Sequence, residues 1–156
     1  MKIINFSINH KLKVNTKNTL SFFFNKSDTK LYILGEIIGA IMDDKVFDNK
    51  NLKIFFKENI FNTGLLKKIA RNSIGSFYLI IVKKQNVDIF CSYTSPGLFY
   101  SKRNNNIYFS SSESSIFKSF GKLSKIDEKI LLNTVKSHQI LLRLPFATFF
   151  KNILRL

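Results

Sequence analysis

The chain has 156 residues, 45% of them hydrophobic and 14% aromatic, which suits one domain with a substantial core and is too apolar for a disordered polymer. Lysine and arginine number 25 against 10 acidic residues, a formal charge of +15 that would draw phosphate backbones or anionic lipid. Cys91 is the single cysteine, so an intrachain disulfide is excluded, and with only His10 and His138 beside it no zinc-spaced ligand set can be assembled.

The positive charge is spread from Lys2 to Lys151 in clusters no longer than a pair, and asparagine, isoleucine and phenylalanine are abundant alongside it. A strong A·T coding bias gives that same combination, so compositional drift weighs at least as much as a functional basic face. No run of about 18 apolar residues is present to span a membrane. The start, MKIINFSINHKLK, lacks the apolar stretch and small-residue cleavage site of a secretory signal, and the expected compartment is the cytoplasm.

In chain order, KIINFSI at 2–8 and NTLSFFF at 18–24 are β-prone runs separated by a polar stretch, and they are expected to pair with each other. KLYIL at 30–34 makes a third strand. Gly35 breaks it, and IIGAIMDD beyond Glu36 is too short and glycine-containing for either a helix or a loop assignment. Asp48 to Asn51 can cap a helix with Leu52, Phe55 and Phe56 on one side. Asn62 or Thr63 can cap another carrying Leu65, Leu66, Ile69 and Ala70.

From Gly75 the period changes. SFYLIIV is a continuous apolar run of strand length, as expected of a strand buried on both faces, and KKQN turns it into VDIFCSY. TSPGLFYSKRNNNIYFSS at 94–111 is expected to continue that meander with two more strands. The serines after Phe109 can cap a helix with Ile116, Phe117 and Phe120 on one face, and Ser124 to Asp127 opens another with Ile130, Leu131 and Val135. Strands followed by helices that cover one face describe α+β layering in one domain, 1–156, with Phe77, Leu79, Ile81, Phe99, Phe109 and Phe117 in the core.

Chemistry has few carriers. The six glycines are scattered, so no glycine-rich loop exists to cradle phosphates. Cys91 falls inside an apolar strand with no histidine near it in sequence, and a small buried hydrophobe is the expected role rather than a nucleophile. His10 and His138 lie among polar residues as surface side chains. Asp43 and Asp44 read as a solvated pair in a turn. The basic turn Lys102 to Asn106 raises a sharper question, because Tyr100, Tyr108 and Lys102 could form a base-stacking, phosphate-neutralising sheet surface. Asparagine-rich turns tolerate left-handed geometry and cations at loop tips are ordinary, so the solvated hairpin tip is the favoured reading.

Taken together, four segments resemble the N-terminal, class II glutamine amidotransferase-like domain of the asparagine synthase family, closest to the version in lasso peptide cyclases and β-lactam synthetases. LGEI at 34–37 is similar to the family's Asn-Gly-Glu-Ile element and IGSFYLIIV at 74–82 to its glycine-led strand. SPGLFYSKRNNNIYFSSSESSIFK at 95–118 is similar to its Pro-Leu-Tyr-Tyr hairpin and helix start, and ATFFKNILRL at 147–156 to its closing element. The resemblance implies an Ntn-hydrolase-like αββα sandwich of two mostly antiparallel sheets covered by helices, cut short at the C-terminus.

The departures from the family pattern carry as much weight. Active members expose an N-terminal cysteine whose own α-amine activates its thiol, and residue 2 here is lysine. Leu34 stands where the family has an oxyanion-hole asparagine, and loss of one such donor costs about 100-fold or more in rate. CSYT at 91–94 replaces the family's Asp-Arg-x-Gly. Gly35 and Glu36 remain as vestiges of a glutamine pocket.

The resemblance therefore implies a catalytically silent domain with no catalytic residue, no metal site and no cofactor of its own, acting as scaffold for an ATP-dependent amide-forming ligase. Its implied partner is a synthetase (ATP-pyrophosphatase) domain or subunit, which would bring ATP and magnesium through a Ser-Gly-Gly-x-Asp-Ser loop lying beyond residue 156. The chain is then a fragment, a pseudogene product or one half of a split enzyme, with homodimerisation expected if the apolar stretch 139–156 is left uncovered. The competing readings are a basic nucleic-acid-binding module, disfavoured by the hairpin argument above, and a non-functional gene fragment.

Overall fold

The structure, a computed structural model, describes residues 3–16, 20–95, 97–120, 128 and 153–155. It is α+β, and all its strand pairings are antiparallel. The expectation was two sheets; among the described residues three are formed, because the segment after Glu36 that carried no assignment folds as short strands of its own. The contacts divide the chain into two compact units, one made of Ile3–Asn15 and Gly97–Leu156, the other of Thr16–Pro96.

In the first unit, β1 (Asn5–Asn9), β2 (Val14–Thr16), β10 (Phe99–Arg103), β11 (Asn106–Ser110) and β12 (Leu154–Arg155) form a sheet in the order β12-β10-β11-β1-β2. Tyr100 pairs with Phe109 and Phe109 with Phe6, so these three share one face, where the rings of Phe6 and Phe109 stack with centroids 4.7 Å apart. Phe99, Ser101 and Tyr108 occupy the other face, and Phe99 and Tyr108 pack there on buried Ile116 and Ile153. Ile116 comes from α3 (Glu113–Phe120), which follows the serine run as expected. The side chains of Phe117 and Phe120 lie outside the described residues. So do the helix expected from Ser124, His138, Lys2 and most of 139–156.

Two pairing expectations fail here. The N-terminal run lies between β11, about 100 residues away in sequence, and the short β2, and the 18–24 run joins another sheet. The 94–111 hairpin joins β1 and β12 instead of extending the meander from β9. Both errors come from assuming that consecutive strands neighbour one another, which holds only about two-thirds of the time.

In the second unit, β3 (Leu20–Lys26), β4 (Thr29–Gly35), β8 (Phe77–Val82) and β9 (Val87–Cys91) form a sheet in that order. β8 is buried at every position, as its unbroken apolar run requires. Beside them, β5 (Gly39–Met42), β6 (Lys45–Asp48) and β7 (Ser73–Ile74) make the third sheet. α1 (Asn49–Glu58) begins at Asp48, whose carboxylate accepts from the Asn51 N–H at 2.7 Å, and α2 (Thr63–Arg71) begins at Asn62, whose side chain accepts from the Leu65 N–H at 3.0 Å. Their apolar stripes, Leu52 and Phe56 from α1 and Leu66, Ile69 and Ala70 from α2, enter one core with Leu31, Ile33, Phe77, Leu79 and Ile81. Phe77, Leu79 and Ile81 are thus core residues as expected, and Phe109 is buried while Phe99 is half-buried.

Candidate functional site

Two of the four segments that carry the resemblance, 34–37 and 74–82, meet where β4 ends, β8 begins and β9 leaves the sheet. Gly35 closes β4 opposite Phe77, and Tyr78 stands opposite Cys91. Beyond the ladder, the Glu36 N–H donates to the Ser76 carbonyl at 2.9 Å and the Ile38 N–H to the Ile74 carbonyl at 2.9 Å, so 36–38 runs along 74–76. Gly35 has φ 112° and Gly75 φ 130°, backbone that side-chain-bearing residues rarely adopt. Space makes the same demand at Gly75. A Cβ there would fall inside contact distance of the Glu36 carbonyl oxygen and 2.9 Å from the Ile37 Cα.

The exit of β9 is fastened to this crossing by three hydroxyls. The Gly75 carbonyl accepts from Ser92 Oγ at 2.7 Å and from Thr94 Oγ1 at 2.6 Å. The Phe77 carbonyl accepts from Ser95 Oγ at 2.8 Å and from the Ser92 N–H at 3.1 Å, and the Phe77 N–H donates to Ser92 Oγ at 3.3 Å. Ser92 and Ser95 also stand 2.8 Å apart, oxygen to oxygen. Each hydroxyl has one proton, so the pair cannot fill all three of its own contacts at once. Neither carbonyl is orphaned by that shortage, because Thr94 serves Gly75 and the Ser92 N–H serves Phe77 whichever way the two protons turn. Each hydroxyl proton thus has an acceptor within the clamp, a backbone carbonyl or the neighbouring serine, and the unit Thr16–Pro96 contains no histidine.

The anticipated site residues are placed as follows. Gly35 sits at the crossing, and Glu36 beside it is exposed. Leu34 is fully buried in β4, paired with Leu20 and Tyr78, a position where an apolar side chain is at home and an amide would need partners. Cys91 differs from expectation. It lies in β9 but is exposed, because the strand ends there and the residue faces outward at the sheet edge. Partial desolvation by neighbouring protein atoms nevertheless raises its thiol pKa above the usual value, which keeps it protonated and weakly nucleophilic.

Asp43 and Asp44 occupy the β5–β6 turn at φ 50° and 60°, and Asp43 pairs with Lys68 at 2.7 Å. His10 is exposed. Tyr100 and Tyr108 lie on opposite faces of their sheet, so the two rings and Lys102 do not form one stacking surface. Among the described residues no group of three or more histidine, cysteine, aspartate or glutamate side chains is placed to hold a metal ion. No described helix is long and apolar enough to cross a membrane.

The hydroxyl clamp itself was not anticipated. CSYT at 91–94 stood out only as a departure from the family pattern, although Ser92, Thr94 and Ser95, within four positions of a strand end, signal side-chain-to-backbone bonding. Comparison of the chain with protein-family models, with curated proteins and with solved structures finds no match.

Proposed function

We propose that the chain is a catalytically silent, amidotransferase-like domain that serves as scaffold for an ATP-dependent amide-forming ligase of the asparagine synthase kind. One observation carries the reading: segments 34–37, 74–77 and 91–95, far apart in sequence, converge at one strand crossing. The first two hold part of the resemblance, and the third holds one of its departures. Around that crossing the two glycines keep the backbone geometry while the chemistry has been replaced: Leu34 is core, and Ser92, Thr94 and Ser95 tie strands together instead of meeting a substrate. An Ntn-type sandwich is the architecture this reading implies.

The test is co-expression of the full chain with the polypeptide of its own genome that carries a Ser-Gly-Gly-x-Asp-Ser loop. Co-purification of the two and ATP-dependent amide formation that requires both are the expected results. Ammonia release from glutamine by the chain alone overturns the silent assignment, and full ligase activity without the chain overturns the scaffold.

A further inference from the structure

Two turns far apart in sequence stand side by side at one end of the five-stranded sheet. Asn9, the last residue of β1, pairs with Asn106, the first of β11, and Asn106 pairs with Arg103, the last of β10. The β10–β11 turn therefore lies next to the β1–β2 turn, which carries Lys11 and Lys13. That second turn is firmly built. The Asn9 side chain accepts from the Lys11 and Lys13 N–H groups at 3.0 and 2.9 Å, the Asn9 N–H donates to the Lys13 carbonyl at 3.2 Å, and Leu12 sits at φ 54°.

The row Arg103, Asn106, Asn9, Lys13 crosses four strands, roughly 14 Å at the usual strand spacing. Lys11, Lys13, Lys102 and Arg103 are all exposed, and their cationic groups have no side-chain partner among the described residues. Elsewhere the lysines are often engaged: Lys68 and Lys83 by carboxylates, Lys26, Lys53 and Lys67 over phenylalanine rings. Coding drift scatters lysines along a sequence, but it does not select which of them a β-ladder brings together.

We infer that this end of the sheet, Lys11, Lys13, Lys102 and Arg103, binds the phosphate backbone of nucleic acid without reading its sequence. Arg103 and Lys13 stand at the two ends of that span, about 14 Å, over which one strand of a duplex carries about four phosphates, and Lys102 and Lys11 belong to the same two turns. An acidic protein segment fits less well, because protein recognition draws most of its affinity from apolar and aromatic anchors. The exposed residues of the two tips are lysine, arginine, histidine and asparagine. With Tyr100 and Tyr108 on opposite faces, base stacking is not offered, so the contact is made to phosphate alone. The inference is independent of the scaffold reading.

The experiment titrates the full chain against a fluorescein-labelled duplex of about 20 base pairs by anisotropy, from 50 to 200 mM KCl. Four phosphate contacts predict a slope of about −3.6 in log affinity against log salt, the same for two unrelated sequences. The quadruple variant K11Q/K13Q/K102Q/R103Q is expected to lose roughly tenfold or more in affinity at 50 mM and to flatten the slope. The control K30Q/K45Q/K50Q/K84Q removes the same charge elsewhere and is expected to stay within about threefold of the parent. Absence of binding, or equal losses in both variants, overturns the proposal. Poly-glutamate competing as well as unlabelled duplex overturns it in favour of an acidic protein partner.

Discussion

Gly75 and Glu36 approach so closely that the Glu36 carbonyl oxygen occupies the space a side chain on Gly75 would need. The crossing of 36–38 with 74–76 thus depends on a residue without a Cβ, and φ 130° at Gly75 makes the same requirement through the backbone. Gly75→Ala is expected to destabilise the protein by about 3 kcal/mol or more, joining steric displacement to backbone strain. Urea denaturation checks it. A midpoint within error of the parent would show that the crossing is far looser than these distances describe.

The hydroxyl clamp separates a buried member from an exposed one. Ser92 is buried and bonds the Gly75 carbonyl, the Phe77 N–H and Ser95, so Ser92→Ala leaves buried polar groups short of partners and should cost about 1–3 kcal/mol. Thr94 is exposed and supplies one bond to a carbonyl that Ser92 also serves, so Thr94→Ala should cost about 0.5–1 kcal/mol. Equal losses, measured by the same denaturation, would mean that burial does not set the cost of removing a member of the clamp.

Local structure was legible in the sequence wherever one short-range signal settled it. Asp48 and Asn62 cap the helices they precede, β8 is buried along its whole apolar run, and the asparagine turn closes β10 on β11. Long-range pairing was not legible. Nothing in NFSIN says that its partner is NIYFS and not the next β-prone run, because both are equally β-prone and the choice is made by tertiary packing. The hairpin of β5 and β6 was hidden for a different reason: its turn is Asp43-Asp44, a left-handed pair without glycine, where the usual two-residue signal contains one. Of the candidate site, the glycines could be singled out. The clamp could not, since its meaning depends on which carbonyls lie opposite.

Leu34 bears on the silent assignment in a way that mutation can expose. On the proposed reading Leu34 stands where relatives would carry an oxyanion donor, and Leu34→Asn puts an amide into a fully buried β4 position. The expected outcome is a loss of about 2–4 kcal/mol in stability with no ammonia released from glutamine, even when combined with Lys2→Cys. Glutaminase activity in the double variant, read by ammonia release, would contradict the silent assignment.

Cys91 links exposure with a raised thiol pKa. A reagent can reach the sulfur, so its reaction rate reports the thiolate fraction more than access. Alkylation by iodoacetamide should be slower in the native protein than in urea at pH 8, and the native rate should rise to its plateau at higher pH than the unfolded one. The linkage has a definite sign. A thiol whose pKa is higher in the folded state favours folding below the unfolded pKa, and that contribution is lost as pH rises through the folded value. Stability should therefore decline on the alkaline side, and Cys91→Ser should lessen the decline.

The β10–β11 turn offers the cleanest test of a sequence-level inference. Asn104 and Asn105 both have positive φ, 47° and 60°, and Arg103 pairs with Asn106 across them, the geometry of a two-residue hairpin with both central residues left-handed. Asparagine tolerates that region and glycine enters it without steric cost, so Asn105→Gly should stabilise by a few tenths to about 1 kcal/mol. A β-branched residue meets the full left-handed penalty, so Asn105→Val should destabilise by about 1–2 kcal/mol. Both substitutions leave Lys11, Lys13, Lys102 and Arg103 in place, so Asn105→Gly should retain the parent's affinity for duplex. A glycine variant that is less stable than the parent would show that the asparagine side chain makes a contribution beyond its tolerance of the turn.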